Sequence, residues 1–252
     1  MSDTIQYELR DTIATLRLNR EDRHNAIGAQ ELKQMDATLE LIERDANVRV
    51  LIVTGAGTKT FCAGASLDDL NAGEITPEGF QRVMQRVAEL PIPTLARVNG
   101  NIFGGGTELA LSCDFRIGVA DTRVRVPAAS LGLCYPPYGI ASFVKRLGGN
   151  LPRRMLLGAE TLGAEELYRL SFYDYLVDEE TLDERTDELA IHLEGLAPMA
   201  VRAMKELIRQ SEAGTVDDAQ AKALFVGCEE SADLQEGFAA LREKRAPEFA
   251  NK

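Results

Sequence analysis

Histidine and clustered cysteine are scarce in this sequence, and their scarcity removes several classes of active site. The 252 residues include only two histidines, His24 and His192, which lie far apart. The four cysteines are widely spaced and form neither a CxxC pair nor a metal-ligand spacing with histidine. They are Cys62, Cys113, Cys134 and Cys228. We therefore expect reduced core thiols, no metal site, and no Ser-His or Cys-His nucleophilic pair.

Long apolar runs and excess positive charge are also missing. No stretch approaches the roughly 20 apolar residues that a membrane-spanning helix needs, and the first ten residues are too polar for a signal or transit peptide. The formal net charge is -12, so the field of the whole molecule repels phosphate backbones and anionic membranes. We expect a cytoplasmic protein that binds neither nucleic acid nor membrane.

The hydrophobic pattern predicts a mixed α/β fold with one large core. Alternating apolar residues over 5–18 predict a β-hairpin, and later strand patterns are each followed by a loop and a helical pattern. These units favour stacked ββα repeats over a strictly alternating βαβ sheet. The predicted strands are 48–53, 94–98, 115–119 and 124–126, and the predicted helices are 29–45, 77–90 and 107–112.

The last third of the chain is predicted to be mostly helical. From Gly139 onward strand signals are weak, and from Pro198 the pattern indicates two or three helices with no strand. We place the domain limits at 1–195 for a core carrying the functional site and at 196–252 for a helical C-terminal region. Since these helices need a partner surface, packing against a neighbouring subunit is plausible.

A glycine triplet, Gly104-Gly105-Gly106, stands between a predicted strand and a predicted helix. Without β-carbons the backbone can approach a ligand closely, and a helix start leaves free N–H groups. The triplet is therefore a candidate anion site, with a tight turn or close helix packing as the alternative. No phosphate loop of the GxxxxGK[ST] type is present.

Several other segments stand in register with this triplet. They are Arg23-His24-Asn25-Ala26-Ile27, Phe61-Cys62-Ala63-Gly64-Ala65-Ser66, Val98-Asn99-Gly100, Thr107-Glu108-Leu109-Ala110 after the triplet, Cys113-Asp114, Gly237-Phe238 and Glu243-Lys244-Arg245-Ala246-Pro247-Glu248-Phe249. Together they resemble the enoyl-CoA hydratase/isomerase (crotonase) family from about Ile5 to Phe249. The resemblance implies a crotonase-like spiral of stacked ββα units with a C-terminal helical oligomerisation region, assembled as a homotrimer or a dimer of trimers.

The resemblance also implies enolate chemistry on an acyl-CoA thioester. In the family two backbone N–H groups form an oxyanion hole, and the resemblance implies that these are the N–H groups of Ala63 and Gly105 here. Glu108 matches the catalytic glutamate of the motif GGGxE. Losing one such donor typically costs about 2.7 to 4 kcal/mol of barrier. A Glu at a helix start with no catalytic role is the alternative for Glu108.

The second glutamate of family hydratases is absent. The segment Pro127-Ala128-Ala129-Ser130-Leu131-Gly132 carries Ala128 where those enzymes carry Glu. Ordinary two-glutamate hydration is therefore in doubt. We expect a lyase of the enoyl-CoA hydratase type or an isomerase that retains the single glutamate Glu108, and the alternative is an acyl-CoA decarboxylase of the same family. Tyr135 matches a tyrosine of family decarboxylases, so Tyr135 is a candidate proton donor, or Tyr135 and Tyr138 simply wall the acyl pocket.

The candidate contacts with coenzyme A also come from the resemblance. It implies that Arg23 and Ala26 lie beside the pantetheine and adenine and that Lys244 reaches the 3′-phosphate, although both basic residues also fit solvated surface charges. The remaining candidate contacts are Ala63, Gly64, Ala65, Ser66, Leu67 and Gly104. Coenzyme A enters as part of the substrate, and no other cofactor is expected. The alternative to an enzyme is a non-catalytic acyl-CoA binder.

Overall fold

Two β-sheets form the centre of the fold in a computed structural model that describes residues 3–251. The larger sheet has the order β1-β2-β3-β5-β7-β10 and the smaller one β4-β6-β8-β9. The strands are β1 Ile5–Arg10, β2 Ile13–Leu18, β3 Val50–Gly55, β4 Thr60–Cys62, β5 Thr94–Val98, β6 Asn101–Phe103, β7 Phe115–Val119, β8 Arg123–Arg125, β9 Thr161–Gly163 and β10 Tyr175–Val177.

The helices pack around these sheets. They are α1 Ala29–Arg44, α2 Leu67–Ala72, α3 Pro77–Glu89, α4 Gly105–Ser112, α5 Pro137–Leu147, α6 Asn150–Pro152, α7 Ala164–Arg169, α8 Leu182–Glu194, α9 Pro198–Ala213, α10 Asp218–Glu229 and α11 Ala232–Glu243. Helix α3 begins as its sequence predicts, since Pro77 occupies the first turn and the Thr76 hydroxyl accepts a hydrogen bond from the Gly79 N–H at 3.0 Å. Among the described residues, none of these helices has the length and apolar composition to cross a bilayer.

The repeated ββα units predicted from the sequence are confirmed. The pairs β3–β4, β5–β6 and β7–β8 each contribute one strand to the larger sheet and one to the smaller, and each pair leads into helix. Strands β2, β3, β5, β7 and β10 run parallel. All six residues of β3 are buried, because a parallel strand of this kind is covered on both faces. The turns that follow the strands therefore converge at one edge of each sheet.

The structure corrects two details of the sequence interpretation. Two short strands, β9 and β10, lie in the region predicted to be mostly helical, and each joins a sheet edge with only three residues, too few to leave a period-2 signal. Cys134 is exposed and Cys228 is only partly buried, so only Cys62 and Cys113 are core thiols.

The C-terminal region contains three helices, α9 to α11, as predicted. Helix α9 also finds a partner within its own chain, because Lys205 Nζ lies 2.6 Å from Asp114 Oδ2 and 2.7 Å from the Ile92 carbonyl oxygen. The predicted domain limits remain a prediction, and their outer ends at residues 1 and 252 lie outside the described residues.

Candidate active site

The loop between β4 and α2 offers one free amide toward the start of α4. Along this loop the Ala63 N–H donates to the His24 carbonyl at 3.0 Å, the Gly64 N–H points to Cys62 Sγ at 3.2 Å, and the Ser66 N–H donates to the Ile27 carbonyl at 2.8 Å. The Ala65 N–H has no acceptor within residues 3–251. A single donor is therefore left for a ligand.

This pattern does not fit the predicted role of Ala63. An oxyanion donor needs an N–H that is free before the substrate binds, and the N–H of Ala63 is already used to hold the loop against residue 24. The family motif points to Ala63, two residues before the free amide, because the sequence alone does not show which amide of a loop is paired. Ala65 takes the place of Ala63 as the candidate donor.

The second candidate donor, Gly105, starts helix α4 beside Ala65. The Ala65 nitrogen lies 3.5 Å from the position that a β-carbon on Gly105 would occupy. As the first residue of α4, Gly105 has no carbonyl one turn earlier in the helix, and its N–H has no other acceptor in the described part of the chain. Gly104 precedes it with φ 51°, and a β-carbon on Gly64 would lie 2.5 Å from the Gly105 nitrogen. Only glycine at 64 and 104 permits this approach.

Glu108 lies on the first turn of α4, one turn beyond Gly105. Its side chain is 3% exposed, and Oε1 has no hydrogen-bond partner among the described residues. Burial raises the pKa of this carboxyl to about 7, because a desolvated carboxylate is disfavoured. A group with this pKa both accepts and donates a proton near neutral pH.

Gly139 and Tyr135 face the carboxyl group of Glu108. A β-carbon on Gly139 would lie 3.3 Å and 3.4 Å from the two carboxyl oxygens and 3.2 Å from Tyr135 Cδ1. Tyr135 packs edge-on against Phe143 with ring centroids 5.8 Å apart, and burial raises the pKa of its phenol above the usual range, with the charge of Glu108 adding to the rise. Ala128 is half-buried and packs against the same apolar core. The walls around Glu108 are therefore mainly apolar.

A cavity of about 490 Å³ adjoins Tyr138, the neighbour of Gly139. Helices α3, α5 and α9 line it with apolar side chains such as Met204 and Ile208 and with charged ones such as Lys145 and Arg209. Burial raises the pKa of Tyr138, and the charges of Glu89 and Glu108 add to the rise. The volume is within the usual range for a small-molecule site.

Among the candidate coenzyme A contacts, Arg23 and Ala26 lie beside the loop that contains Ala65, whereas Lys244 lies at the end of α11. Arg23 is exposed and lies 3.9 Å from Asp68 at the start of α2, which brings it to the loop that contains Ala65, Ser66 and Leu67. Ala26 is half-buried beside the same loop, since residue 27 pairs with residue 65 in an isolated bridge. Lys244 caps α11 with φ 53°, and its backbone N–H donates to the Ala240 carbonyl, while its side chain has no hydrogen bond or ion pair within residues 3–251.

A family model described as Enoyl-CoA hydratase/isomerase matches residues 8–252. The chain belongs to this family. It is 32% identical over 250 residues to short-chain-enoyl-CoA hydratase of Clostridium acetobutylicum, with 95% of each chain covered. It is also 32% identical over 271 residues to 1,2-epoxyphenylacetyl-CoA isomerase of Escherichia coli K12, with 100% of each covered.

The fold agrees with this enoyl-CoA hydratase/isomerase assignment. The crystal structure of enoyl-CoA hydratase from Bacillus anthracis superposes with a TM-score of 0.91 at 29% identity, covering 99% of this chain and 100% of that one. The crotonase-type fold predicted from the sequence motifs is therefore confirmed.

Two residues of this enoyl-CoA hydratase/isomerase site were missed at the level of sequence. Gly139 leaves the space that the Glu108 carboxyl group occupies, and the Phe80 ring would lie 2.7 Å from a β-carbon on Gly105. Gly139 lies four residues after Tyr135, whose match to family decarboxylases is a usable signal. Phe80 lies on α3 among other core residues, and nothing in its spacing distinguishes it.

The raised pKa of Glu108 predicts a specific dependence of stability on pH. The neutral carboxyl is favoured in the folded state, so its contribution is fully present below the unfolded pKa near 4.5 and is lost as the pH rises through about 7. Relative to Glu108→Gln, which stays neutral, the free energy of unfolding should fall by roughly 3 kcal/mol between pH 4 and pH 8. Urea unfolding of both proteins across this range measures the difference, and a difference that does not change with pH contradicts the assignment.

Proposed function

We propose that this protein moves a proton at the carbon beside the thioester of an enoyl-CoA, isomerising its double bond through an enolate. The Glu108 carboxylate removes the proton, and the enolate oxygen receives hydrogen bonds from the Ala65 and Gly105 N–H groups. Glu108 then returns the proton to another carbon of the same conjugated system. Pre-aimed donors of this kind stabilise charge that develops in the transition state.

A single carboxyl group at the site carries the proposal. Glu108 is buried with a pKa near 7, and Ala128 stands where a hydratase needs a second carboxylate to hold water. Isomerisation requires only one group that takes and returns a proton, whereas hydration requires water activation as well. Relatives of this chain are named as hydratase, dehydratase and isomerase of CoA thioesters, so the family name alone does not choose between them.

Placing a carboxylate at residue 128 tests this choice. The unmodified protein should isomerise 3-hexenoyl-CoA and hydrate crotonyl-CoA only slowly, since loss of a positioned acid or base costs about 10² to 10⁴-fold. Ala128→Glu should raise crotonyl-CoA hydration and lower isomerisation, because it adds a water-binding group and a negative charge near Glu108. The exposed neighbour provides the matched control, Ala129→Glu. Hydration by the unmodified protein near the diffusional limit of about 10⁸ M⁻¹s⁻¹ would refute the proposal.

Decarboxylation of a carboxyacyl-CoA is the second candidate, favoured by Tyr135. Its phenol lies in the apolar wall beside Glu108, and an apolar pocket assists loss of a carboxylate to give the same enolate. Release of CO₂ from methylmalonyl-CoA, with no isomerisation of 3-hexenoyl-CoA, would select this candidate instead. Tyr135→Phe then separates proton donation by the phenol from simple packing, because only the former is lost.

The binding of coenzyme A rests on the same proposal. Arg23, Ala26 and the backbone of 63–67 border the free Ala65 amide, so the pantetheine would enter between them. The side chain of Lys244 has no ion pair or hydrogen bond within residues 3–251. We propose that it meets the phosphate of coenzyme A across a subunit boundary. Tyr135 and Tyr138 would wall the acyl group.

We also propose that the protein assembles as a trimer or a dimer of trimers. Six large apolar side chains of α9 to α11 are exposed in the isolated chain, and α10 buries no residue. They are Met204, Ile208, Phe225, Leu234, Phe238 and Leu241. Apolar exposure on this scale indicates an interaction surface. Sedimentation equilibrium at micromolar concentration should give a mass at least three times the 27.6 kDa of one chain, and a 27.6 kDa species would contradict the assembly.

A further inference from the structure

The backbone of the turn at His24 and Asn25 is strained. Both residues have left-handed backbone conformations, with φ 53° and φ 56°. Two consecutive non-glycine residues in this region are unusual and persist only when the surroundings hold them there. The turn adjoins the loop 63–66, because the His24 carbonyl accepts the Ala63 N–H.

The side chain of Asn25 supplies the contacts that hold this turn. It is 1% exposed, and its Nδ2 donates to the Ala56 carbonyl at 3.0 Å and to the Thr60 carbonyl at 2.7 Å. Its Oδ1 accepts the Arg20 N–H at 3.1 Å. The amide thus joins the end of β2, the loop after β3 and the start of β4. Both of its N–H groups are used.

The residues on either side of Asn25 determine which amides of the loop 63–66 are paired. The His24 carbonyl accepts the Ala63 N–H at 3.0 Å, the Ile27 N–H donates to the Gly64 carbonyl at 2.8 Å, and the Ile27 carbonyl accepts the Ser66 N–H. These three bonds orient the loop so that the Ala65 N–H is left unpaired and faces Gly105. A turn that relaxes at Asn25 would release the His24 carbonyl first.

We propose that Asn25 is a positioning residue for the oxyanion donors. It holds the His24–Ile27 turn in its left-handed form, and through the His24 carbonyl it fixes the direction of the Ala65 N–H. This inference rests on the proposed function, because it matters only if the Ala65 and Gly105 amides bind a thioester oxygen. Misplacing such a donor by about 1 Å costs about 10²-fold in rate.

The test uses two variants that separate the amide from the backbone conformation. Asn25→Gly adopts positive φ freely and removes only the side-chain clamp. Asn25→Asp keeps the volume and the acceptor for Arg20 but replaces the donor with an acceptor that faces two carbonyl oxygens. The matched control is Asn99→Gly, since Asn99 is a 3% exposed amide that bonds Gly57 and Gly55 and makes no hydrogen bond to the loop 63–66 among the described residues.

The readout is the infrared carbonyl band of butyryl-CoA labelled with ¹³C at the thioester carbon, measured free and bound. All variants carry Glu108→Gln, so that the band reports the donors without proton transfer. The parent should shift the band to lower frequency on binding, Asn99→Gly should retain the shift at a similar loss of melting temperature, and Asn25→Gly should lose at least half of it. In Asn25→Asp the shift should return as the pH falls, because a protonated carboxyl regains one donor.

Rates give a second measure with Glu108 intact. Asn25→Gly should lower kcat on the best substrate about 10²-fold while KM changes only a few-fold, whereas Asn99→Gly should keep kcat. An undiminished band shift in both Asn25 variants overturns the positioning role and leaves the proposed function standing. Absence of any shift in the parent overturns the oxyanion site and the inference together. Should Asn25→Gly fail to fold, the pH-dependent band of Asn25→Asp decides.

Discussion

Substitution of Glu108 by glutamine is expected to slow α-proton exchange of butyryl-CoA in D₂O by about 10² to 10⁴-fold. Glutamine fills the same space but cannot take a proton, and Glu108 is the buried carboxyl group on the helix that begins at Gly105. A saturated thioester is suited to the test because it has no double bond to hydrate or isomerise. Mass spectrometry of the recovered butyryl-CoA gives the exchange rate directly.

The pH profile of this exchange should report the same carboxyl group. Glu108 acts as a base only when ionised, so the exchange rate should rise with pH and reach half its maximum at about pH 7, where burial places its pKa. Glu31 is a matched control because it is a second buried glutamate, 2% exposed, that bonds the Gly28 N–H and Arg20. Glu31→Gln should destabilise the fold without slowing exchange. Equal slowing by both variants would show that loss of structure, and not loss of the base, is being measured.

Much of the fold could be predicted from the sequence because its signals are local. The apolar run over 48–53 predicts the strand found as β3, and the helix predicted over 77–90 is found as α3. Strands β9 and β10 could not be found in this way, because three-residue edge strands are selected by the sheet they join. The pairing register between strands that lie far apart in the sequence also depends on the assembled core, so local signals do not predict it.

The candidate site was predicted less completely, for an equally physical reason. Motifs located the glycine triplet, Glu108 and the loop after β4, since residue types and spacing are written in the sequence. Which N–H of that loop is free depends on its hydrogen bonds to residues 24 and 27, which lie about 40 positions earlier. The motif therefore points to Ala63, whereas the structure leaves the Ala65 N–H without an acceptor among the described residues. The gap that Gly139 leaves for Glu108 likewise appears only in three dimensions.

Two variants that differ in the N–H of residue 105 can be compared in the same surroundings. A β-carbon at residue 105 would lie 2.7 Å from the Phe80 ring, so a substitution made alone would move the ring as well as the amide. In a Phe80→Leu background that space is available to either alanine or proline. Gly105→Ala keeps the N–H, whereas Gly105→Pro lacks it, and proline is tolerated at the first residue of a helix such as α4.

The proline variant should therefore have a kcat about 10² to 10³-fold lower than the alanine variant on the best acyl-CoA substrate. Both carry the same change at Phe80 and a β-carbon in the same place, so their melting temperatures should differ much less than their rates. The carbonyl band of bound ¹³C-labelled butyryl-CoA should shift less in the proline variant, because one of its two donors is gone. Turnover within a few-fold in the two proteins would remove Gly105 from the oxyanion site and leave Ala65 as its only candidate donor.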